Sequence, residues 1–252
     1  MVGVGFSKAE IARLMSVQEK EIEDNLGIMD LMDEYLAVIE CDEIYTRLNK
    51  TEDLFIQLYK ALKTWQKGPG KLKWVPTAAD LEDFKLIAFD WIRYVYNNPK
   101  KGVDVEMNAK QIRADMIRNS SKSIFANKEI WNTFKGNHFK AVECFEEPSL
   151  DAALELADED ATLDIVAKQR DQDFAKNMHS DFQENWNIQV GRRDNELNRE
   201  QPLTILKQIK DKLDSLGEVD FSGKPDLNEL RQVSDAVRKQ AEEIRNVIRD
   251  SE

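Results

Sequence analysis

The stretch TAADLEDFKLIAFDWIRYVYNN, residues 77 to 98, decides the fold of this chain. Thr77 can cap the start of a helix, and Asp80 three residues later completes a capping box. Apolar residues then recur at helical spacing, and further apolar residues occupy the other faces of the same helix. A helix that is apolar most of the way round is buried on all sides. The stretch therefore predicts the central helix of an all-α fold, with Trp91 in its core.

Helical patterns flank this stretch on both sides. Ser7 with Glu10 predicts a capped first helix, and Thr51 begins a further helix at TEDLFIQLYKALKTW. Residues 109–119 and 128–143 predict two shorter helices. No segment alternates convincingly between apolar and polar residues, and KLKWV, residues 71 to 75, is only a weak strand candidate.

The carboxy-terminal half begins with an acidic segment. Residues 142–164 hold nine acidic residues and no basic one, which predicts a solvated linker or a short helix. An apolar stripe at a spacing of four follows and suits packing against another helix: Phe174, Met178, Phe182, Trp186 and Val190. We therefore expect a helix-turn-helix and helical core domain over 1–140, an acidic linker over 141–165, and a helical association region over 166–252.

Two amphipathic segments near the carboxy terminus predict a helical hairpin. One apolar face consists of Leu203, Leu206, Ile209, Leu213 and Leu216. The facing residues would be Leu227, Leu230, Val233, Val237, Ile244 and Ile248. This seam is long enough to be a self-association surface.

Composition limits the functional classes. The chain has 252 residues with 36 Lys+Arg against 48 Asp+Glu, a formal charge of -12, which argues against a general nucleic-acid coat protein but leaves room for a basic patch. Cys41 and Cys144 fit no zinc spacing or disulfide framework, so we expect two small core residues in a reducing cytosol. No apolar run reaches the ~18 residues of a membrane span, and no signal peptide is evident.

The amino-terminal segment FSKAEIARLMSVQEKEIEDNLGIMDLMDEYL, residues 6 to 36, has the spacing of a DNA-binding helix-turn-helix. Ala12 is the small residue where the two helices would cross, and Ser16-Val17 would form the turn. Ile22 would anchor the second helix, which is the recognition helix in this motif.

Residues 9–36, together with YTRLNKTEDLFIQLYKAL at 45–62, resemble the helix-turn-helix region of ParB-like partition proteins, which belong to the ParB/sulfiredoxin-fold proteins. The resemblance implies a DNA-binding, prokaryotic protein of plasmid or phage origin. It departs from the family at Ser16, where family members usually have Gly. A nucleotide-binding domain would normally precede this region, and none of its motifs is present, so CTP chemistry is carried over to no residue. The short glycine-rich start, Met1 to Gly5, resembles a cut edge.

The predicted recognition helix carries several acidic residues, although its predicted task is to contact DNA, which is negatively charged. Gln18 could contact adenine and Lys20 a phosphate or guanine, but Glu23 and Asp24 would repel the DNA backbone. Residues 100–140 are a better candidate, with nine basic and four acidic residues. The residues that we predict to contact DNA are Lys8, Arg13, Gln18, Lys20, Lys100, Lys101, Arg113, Arg118 and Lys122.

Two functions remain open at this point. The first is a ParB-like, non-catalytic fragment that binds duplex DNA through the helix-turn-helix and a basic patch, as a dimer. The alternative is a helical adaptor whose helix-turn-helix no longer contacts DNA. We expect no enzyme, cofactor or metal, because the chain has no Gly-rich phosphate loop or nucleophile elbow, and His138 and His179 lack ligand partners at metal spacing. Basic residues of 100–140 on one face with Lys8, Arg13, Lys20 and Lys50 would favour DNA binding, whereas the acidic second helix alone on that face would favour the adaptor.

Overall fold

The computed structural model describes residues 7–97, 109–158, 160–200, 202–217 and 227–250. These residues form eleven α-helices and no strand, so the predicted all-α class is confirmed and the strand candidate at 71–75 is wrong. In chain order the helices are α1 (Lys8–Met15), α2 (Glu19–Val38), α3 (Glu52–Trp65), α4 (Ala78–Asn97), α5 (Ala109–Ile112), α6 (Lys128–Glu143), α7 (Leu150–Glu155), α8 (Leu163–Asn177), α9 (His179–Glu200), α10 (Pro202–Gly217) and α11 (Leu227–Arg249).

Helix α4 is the central element, as its sequence predicts. The backbone N–H of Thr77 donates to the Asp80 carboxylate at 2.9 Å, and the backbone N–H of Asp80 donates back to the Thr77 hydroxyl at 3.2 Å. Trp91 is fully buried and stacks on Phe182 with 4.6 Å between ring centroids. The capping box therefore fixes where the helix begins, and its aromatic side chains pack against neighbours on every side.

Helices α8 and α9 complete this core. The predicted stripe is buried at Phe174, Phe182 and Trp186, and the chain bends at Met178, where α8 gives way to α9. The first compact unit consequently runs to Leu197, and the second spans Asn198–Glu252. The division differs from the boundary that we placed after residue 165, because the stripe packs against α4 instead of belonging to a separate association region.

Some local expectations agree with the structure and others need correction. The predicted helix at 109–119 is α5 followed by one π-helical turn, Arg113–Ile117. The acidic segment contains the short helix α7, whose Leu150 is buried. Cys41 is buried as expected, but Cys144 is exposed. The predicted helix at 128–143 coincides with α6.

A buried group of charges joins α4 to α8. Arg93 donates to Asp171 at 2.6 Å through Nε, and its other nitrogens hydrogen-bond Glu147. Burial alone would lower the pKa of Arg93, but the carboxylates of Glu147 and Asp171 raise it above its ordinary value. Arg47 and Arg170 complete the group by pairing with the same two carboxylates. Each buried charge thus has a partner, as burial of charge requires.

The second unit contains α10 and α11. The apolar residues that we expected to face one another remain exposed in its described part, each by at least 37%. They are Leu203, Leu206, Ile209, Leu213 and Leu216 on α10, and Leu230, Val233, Ile244 and Ile248 on α11, with Val247 beside them. Val237 is half-buried, and the side chain of Leu227 lies outside the described residues. The predicted hairpin seam is therefore not closed between these side chains.

Candidate nucleic-acid interface

Helices α1 and α2 meet at a tight turn in the position predicted for a helix-turn-helix. Ser16 adopts the left-handed conformation, with φ 57° and ψ 36°, and ends α1. This is the position at which the resemblance leads one to expect Gly, which enters that conformation without a Cβ penalty. Ile11, Ala12 and Ile22 pack in a small cluster of their own. The turn places the start of α2 at the molecular surface.

The exposed face of α2 is acidic. Glu19, Glu21 and Glu23 are all exposed. Asp24 instead faces α3, where it pairs with Lys63 and accepts a hydrogen bond from the Tyr59 hydroxyl at 3.1 Å. The Lys63 ammonium lowers the pKa of Asp24 below its ordinary value. Three carboxylates therefore remain available to repel a DNA backbone, and the fourth is neutralised within the fold.

The predicted contact residues of the motif lie around the start of α2. Arg13, Gln18 and Lys20 are exposed, and Lys8 is 4.0 Å from Glu23. Gln18 and Lys20 border a shallow surface groove together with Lys60 of α3. The structure therefore brings the start of α2 beside a lysine that we did not single out, with Glu21 and Asp24 lining the same groove.

The predicted residues of the downstream block are divided. Arg113 pairs with Asp53 in the first turn of α3. Asp53 and Lys63 are ten residues apart on that helix, so Arg113 lies about 15 Å from the Asp24 pair. Lys100 and Lys101 lie outside the described residues. Arg118 and Lys122 belong to a different environment at the far end of α3.

Two segments of the chain contain basic residues and no acidic ones. Residues 54–79 hold five lysines and no Asp or Glu, and residues 116–128 hold three basic residues and no Asp or Glu. In sequence these segments are far apart. The first ends α3 and leads into the loop before α4, and the second leads into α6.

Hydrogen bonds join these two segments. The Asn119 side-chain oxygen accepts from the Trp65 indole at 3.1 Å and from the backbone N–H of Lys71 at 3.0 Å. Farther along, the backbone N–H of Lys73 donates to the Ala126 carbonyl at 3.0 Å. The Trp74 indole similarly donates to the Phe125 carbonyl at 2.8 Å. The loop after α3 is thus docked along its length on the loop before α6.

Docking gathers seven exposed cations, which we call the basic loop surface: Lys60, Lys67, Lys71, Lys73, Arg118, Lys122 and Lys128. Two nearby carboxylates are engaged: Asp115 accepts from Arg193 at 2.9 Å, and Glu196 accepts from the Asn127 side chain. The exposed Glu129 directly follows Lys128, and Asp80 lies within electrostatic range of the same lysine. Cations therefore outnumber carboxylates on this surface, although the chain as a whole is acidic.

The turn between Lys67 and Lys71 depends on a glycine that lets the two loops pack closely. Gly70 has φ 58°, and a Cβ there would lie 2.8 Å from the Asn119 side-chain oxygen. A side chain at this position would therefore strain the backbone and push the two loops apart. On the same surface the Lys128 ammonium lies 5.5 Å from the centre of the Trp74 ring, a cation–π contact.

The chain matches no protein-family model, no curated protein and no solved structure. Functional inference consequently depends on its own residues. In the described part of the chain, no cluster of His, Cys, Asp and Glu has the geometry of a metal site. Nor does any described helix combine the length and apolar run that a membrane crossing requires.

A second surface feature is a groove between α2 and α3, which borders the acidic face. Its floor is apolar and includes Ile28, Met32 and Ile56, and its volume is about 470 Å³. Met29 and Tyr45 on its rim are 57% and 59% exposed. The groove continues past Ile28 and Ile56 to the start of α2. It is long enough to accept several turns of a helix.

Our sequence analysis missed the lysines of residues 60–73. The signal was present, because five lysines occur without any acid between residues 54 and 79. For that segment we predicted only the helix that begins at Thr51 and the weak strand candidate at 71–75. What no local pattern indicates is the contact with residues 118–126, about fifty positions downstream.

Proposed function

We propose that this chain is a non-catalytic DNA-binding protein that holds duplex DNA through the basic loop surface. One observation carries the proposal: hydrogen bonds from two acid-free segments bring seven exposed cations together on a chain with a net charge of -12. Such a patch on an acidic protein binds polyanions by releasing their counterions. The resemblance to ParB-like partition proteins favours duplex DNA as the polyanion that binds here.

In this proposal the helix-turn-helix has a secondary part. Gln18 and Lys20 lie beside Lys60, at the edge of the basic loop surface, so they can reach a duplex already held there. The exposed Glu19, Glu21 and Glu23 keep the rest of α2 away from the phosphates. Self-association through the carboxy-terminal helices would place two such weak sites on one duplex and raise the overall affinity.

The test is titration of the full chain with a set of duplexes at several salt concentrations. Reversing Lys71, Arg118 and Lys122 to Glu should lower the slope of log K against log salt by about three. The affinity should fall by on the order of 10²-fold or more near ~0.1 M salt, equally for all sequences.

A matched control reverses the same number of exposed cations elsewhere in the first compact unit. Lys140, Lys168 and Lys176 are exposed and lie outside the basic loop surface. Their replacement by Glu changes the net charge equally and should leave the salt slope unchanged. An equal loss in both variants would show that only net charge matters, and an unchanged slope in the first variant would refute the proposal.

The alternative function, a helical adaptor, is favoured by the groove between α2 and α3. Its apolar floor fits the apolar face of an amphipathic helix, and its rim carries the acids Glu21, Asp24 and Glu52 as well as Lys20 and Lys60. A synthetic helix with leucine on one face and lysine on its flanks is the probe. Met29→Glu should abolish its binding, whereas Val38→Glu, an equal change outside the groove on α2, should not. If this probe does not bind, the groove is not such a docking site.

A further inference from the structure

Helix α11 carries an apolar stripe with a seven-residue repeat. Leu230, Val237 and Ile244 occupy the first core position of the repeat, a, and Val233, Gln240 and Val247 occupy the second, d. Val237 is half-buried, and the other apolar members are each at least 42% exposed. From Leu230 to Val247 this stripe is about 26 Å long. An apolar stripe of that length marks an association surface.

The two edges of the stripe carry opposite charges. Three exposed arginines, spaced seven residues apart, follow one edge: Arg231, Arg238 and Arg245. Two exposed glutamates, fourteen residues apart, follow the other: Glu229 and Glu243. Between the arginines and the stripe lie the small side chains of Ser234 and Ala241. The helix is therefore amphipathic and also polarised across its width.

We propose that α11 pairs with α11 of a second copy of this chain as a parallel two-stranded coiled coil. In a parallel pair, the basic edge of each helix lies beside the acidic edge of the other. An antiparallel pair would instead place arginines beside arginines and glutamates beside glutamates. The small residues Ser234 and Ala241 let the long arginine side chains reach across the seam to the glutamates. The inference rests on the self-association included in the proposed function, and it specifies the partner and the orientation.

The core positions agree with this arrangement. Val237 and Ile244 at position a are β-branched, as two-stranded parallel coiled coils prefer, whereas position d carries Val233, Gln240 and Val247 where such pairs prefer Leu. Gln240 would face its counterpart in the second copy, where the two amides can hydrogen-bond. A single polar layer of this kind fixes the register of the two helices. Pairing also covers side chains that are exposed in the single chain, and such packing is what stabilises an amphipathic helix.

The first experiment measures the mass of the full chain by sedimentation equilibrium, in a Cys144→Ser background. We expect a dimer, and we expect the double substitution Val237→Glu and Ile244→Glu to weaken it by roughly 100-fold or more, because both charges would be buried. Asn228→Glu with Asn246→Glu adds the same charge outside the stripe and should leave the dimer intact. A chain that stays monomeric, or that sediments only with anionic phospholipid vesicles, would overturn the inference.

The second experiment determines the orientation. A Val233→Cys substitution in the same background should form a disulfide between two copies under mild oxidation. Cross-linking only in a mixture of the Val233→Cys and Ile244→Cys variants would instead indicate an antiparallel pair. DNA titration of the Val237→Glu, Ile244→Glu variant separates this inference from the proposed function. If the variant is monomeric and its DNA affinity still depends on the cations of the basic loop surface, the proposed DNA binding stands apart from dimerisation. If the unsubstituted chain is a dimer but shows no salt-dependent DNA binding, only the proposed DNA binding is refuted.

Discussion

The acidic face of α2 and the basic loop surface lie at the same end of α3 and have opposite character. The first is a regular helix whose charge is evident from one short stretch, Glu19 to Asp24. The second is built from two loops that are about fifty residues apart in sequence and joined by hydrogen bonds. A helix-turn-helix pattern therefore does not by itself locate the most basic surface of the chain. Charge has to be counted where the fold brings segments together.

The largest effect should come from the core that supports both regions. Trp91→Ala removes a fully buried side chain from α4 and should lower the free energy of unfolding by ~3–5 kcal/mol. Chemical denaturation measures this loss. Because neither surface contains Trp91, the fraction that remains folded should bind DNA with unchanged salt dependence. A folded variant with an altered salt slope would mean that the surfaces do not rest on a rigid common core.

The next largest effect should come from Asn119, which holds the basic loop surface together and does not contact the acidic face of α2. Asn119→Ala removes the oxygen that accepts from Trp65 and Lys71, and it leaves the buried indole N–H unpaired. We expect a loss of about 1–3 kcal/mol in stability and a roughly tenfold weaker DNA affinity, because the two loops no longer hold their cations together.

The matched control for Asn119→Ala is on the acidic side. Tyr59→Phe removes the hydroxyl that donates to Asp24 and leaves the loops untouched. It should cost some stability and leave DNA affinity unchanged. If Tyr59→Phe weakens DNA binding as much as Asn119→Ala, the loops have no special role.

The difference between these two substitutions shows what the sequence can predict. Helix α4, the capping boxes and the aromatic stripe were predictable, because they depend on residues three or four positions apart. The contacts of Asn119 were not, because an amide in a loop indicates a turn and does not specify a partner 48 or 54 residues away. The candidate interface is therefore the part of the molecule that depends most on tertiary structure.

The buried charges illustrate the same limit. The sequence places Arg93 among the apolar residues Trp91, Ile92 and Tyr94 but gives no indication that Asp171 lies 2.6 Å from its Nε atom. The carboxy-terminal helices show the converse case. Their amphipathic stripes are evident in the sequence, yet the side chains expected to face one another are exposed in the second unit. Periodicity predicts which face of a helix is apolar and suited to packing, and it does not identify the element that packs against that face.

A smaller effect should follow from neutralising the acidic face. Replacing Glu19, Glu21 and Glu23 with Gln removes three exposed negative charges from α2. If the phosphates lie on the basic loop surface, screening should limit the gain in DNA affinity to about threefold, with the same salt slope. A gain in DNA affinity above tenfold, with a steeper salt dependence, would show that α2 itself enters a groove of the DNA. Replacing the exposed Glu143, Glu146 and Glu155, which lie outside both surfaces, with Gln controls for net charge.

The smallest expected effect concerns Asp24, where the acidic helix is tied to α3. The Lys63 ammonium lowers the pKa of this carboxyl in the folded state, so the pair stabilises the fold above the unfolded value near 3.8. This contribution is lost as the pH falls through the lowered value. The Asp24 side chain is 35% exposed, so solvent screening should keep its contribution to about 0.5 kcal/mol or less. Denaturation of the wild type and of Asp24→Asn between pH 2 and 7 should give free energies that differ at neutral pH and converge in acid. Because Asp24 faces α3 and not the solvent-exposed acidic face, the substitution should leave DNA affinity unchanged at neutral pH. A marked gain in affinity would show that this carboxylate, and with it the second helix of the motif, lies against the phosphates after all.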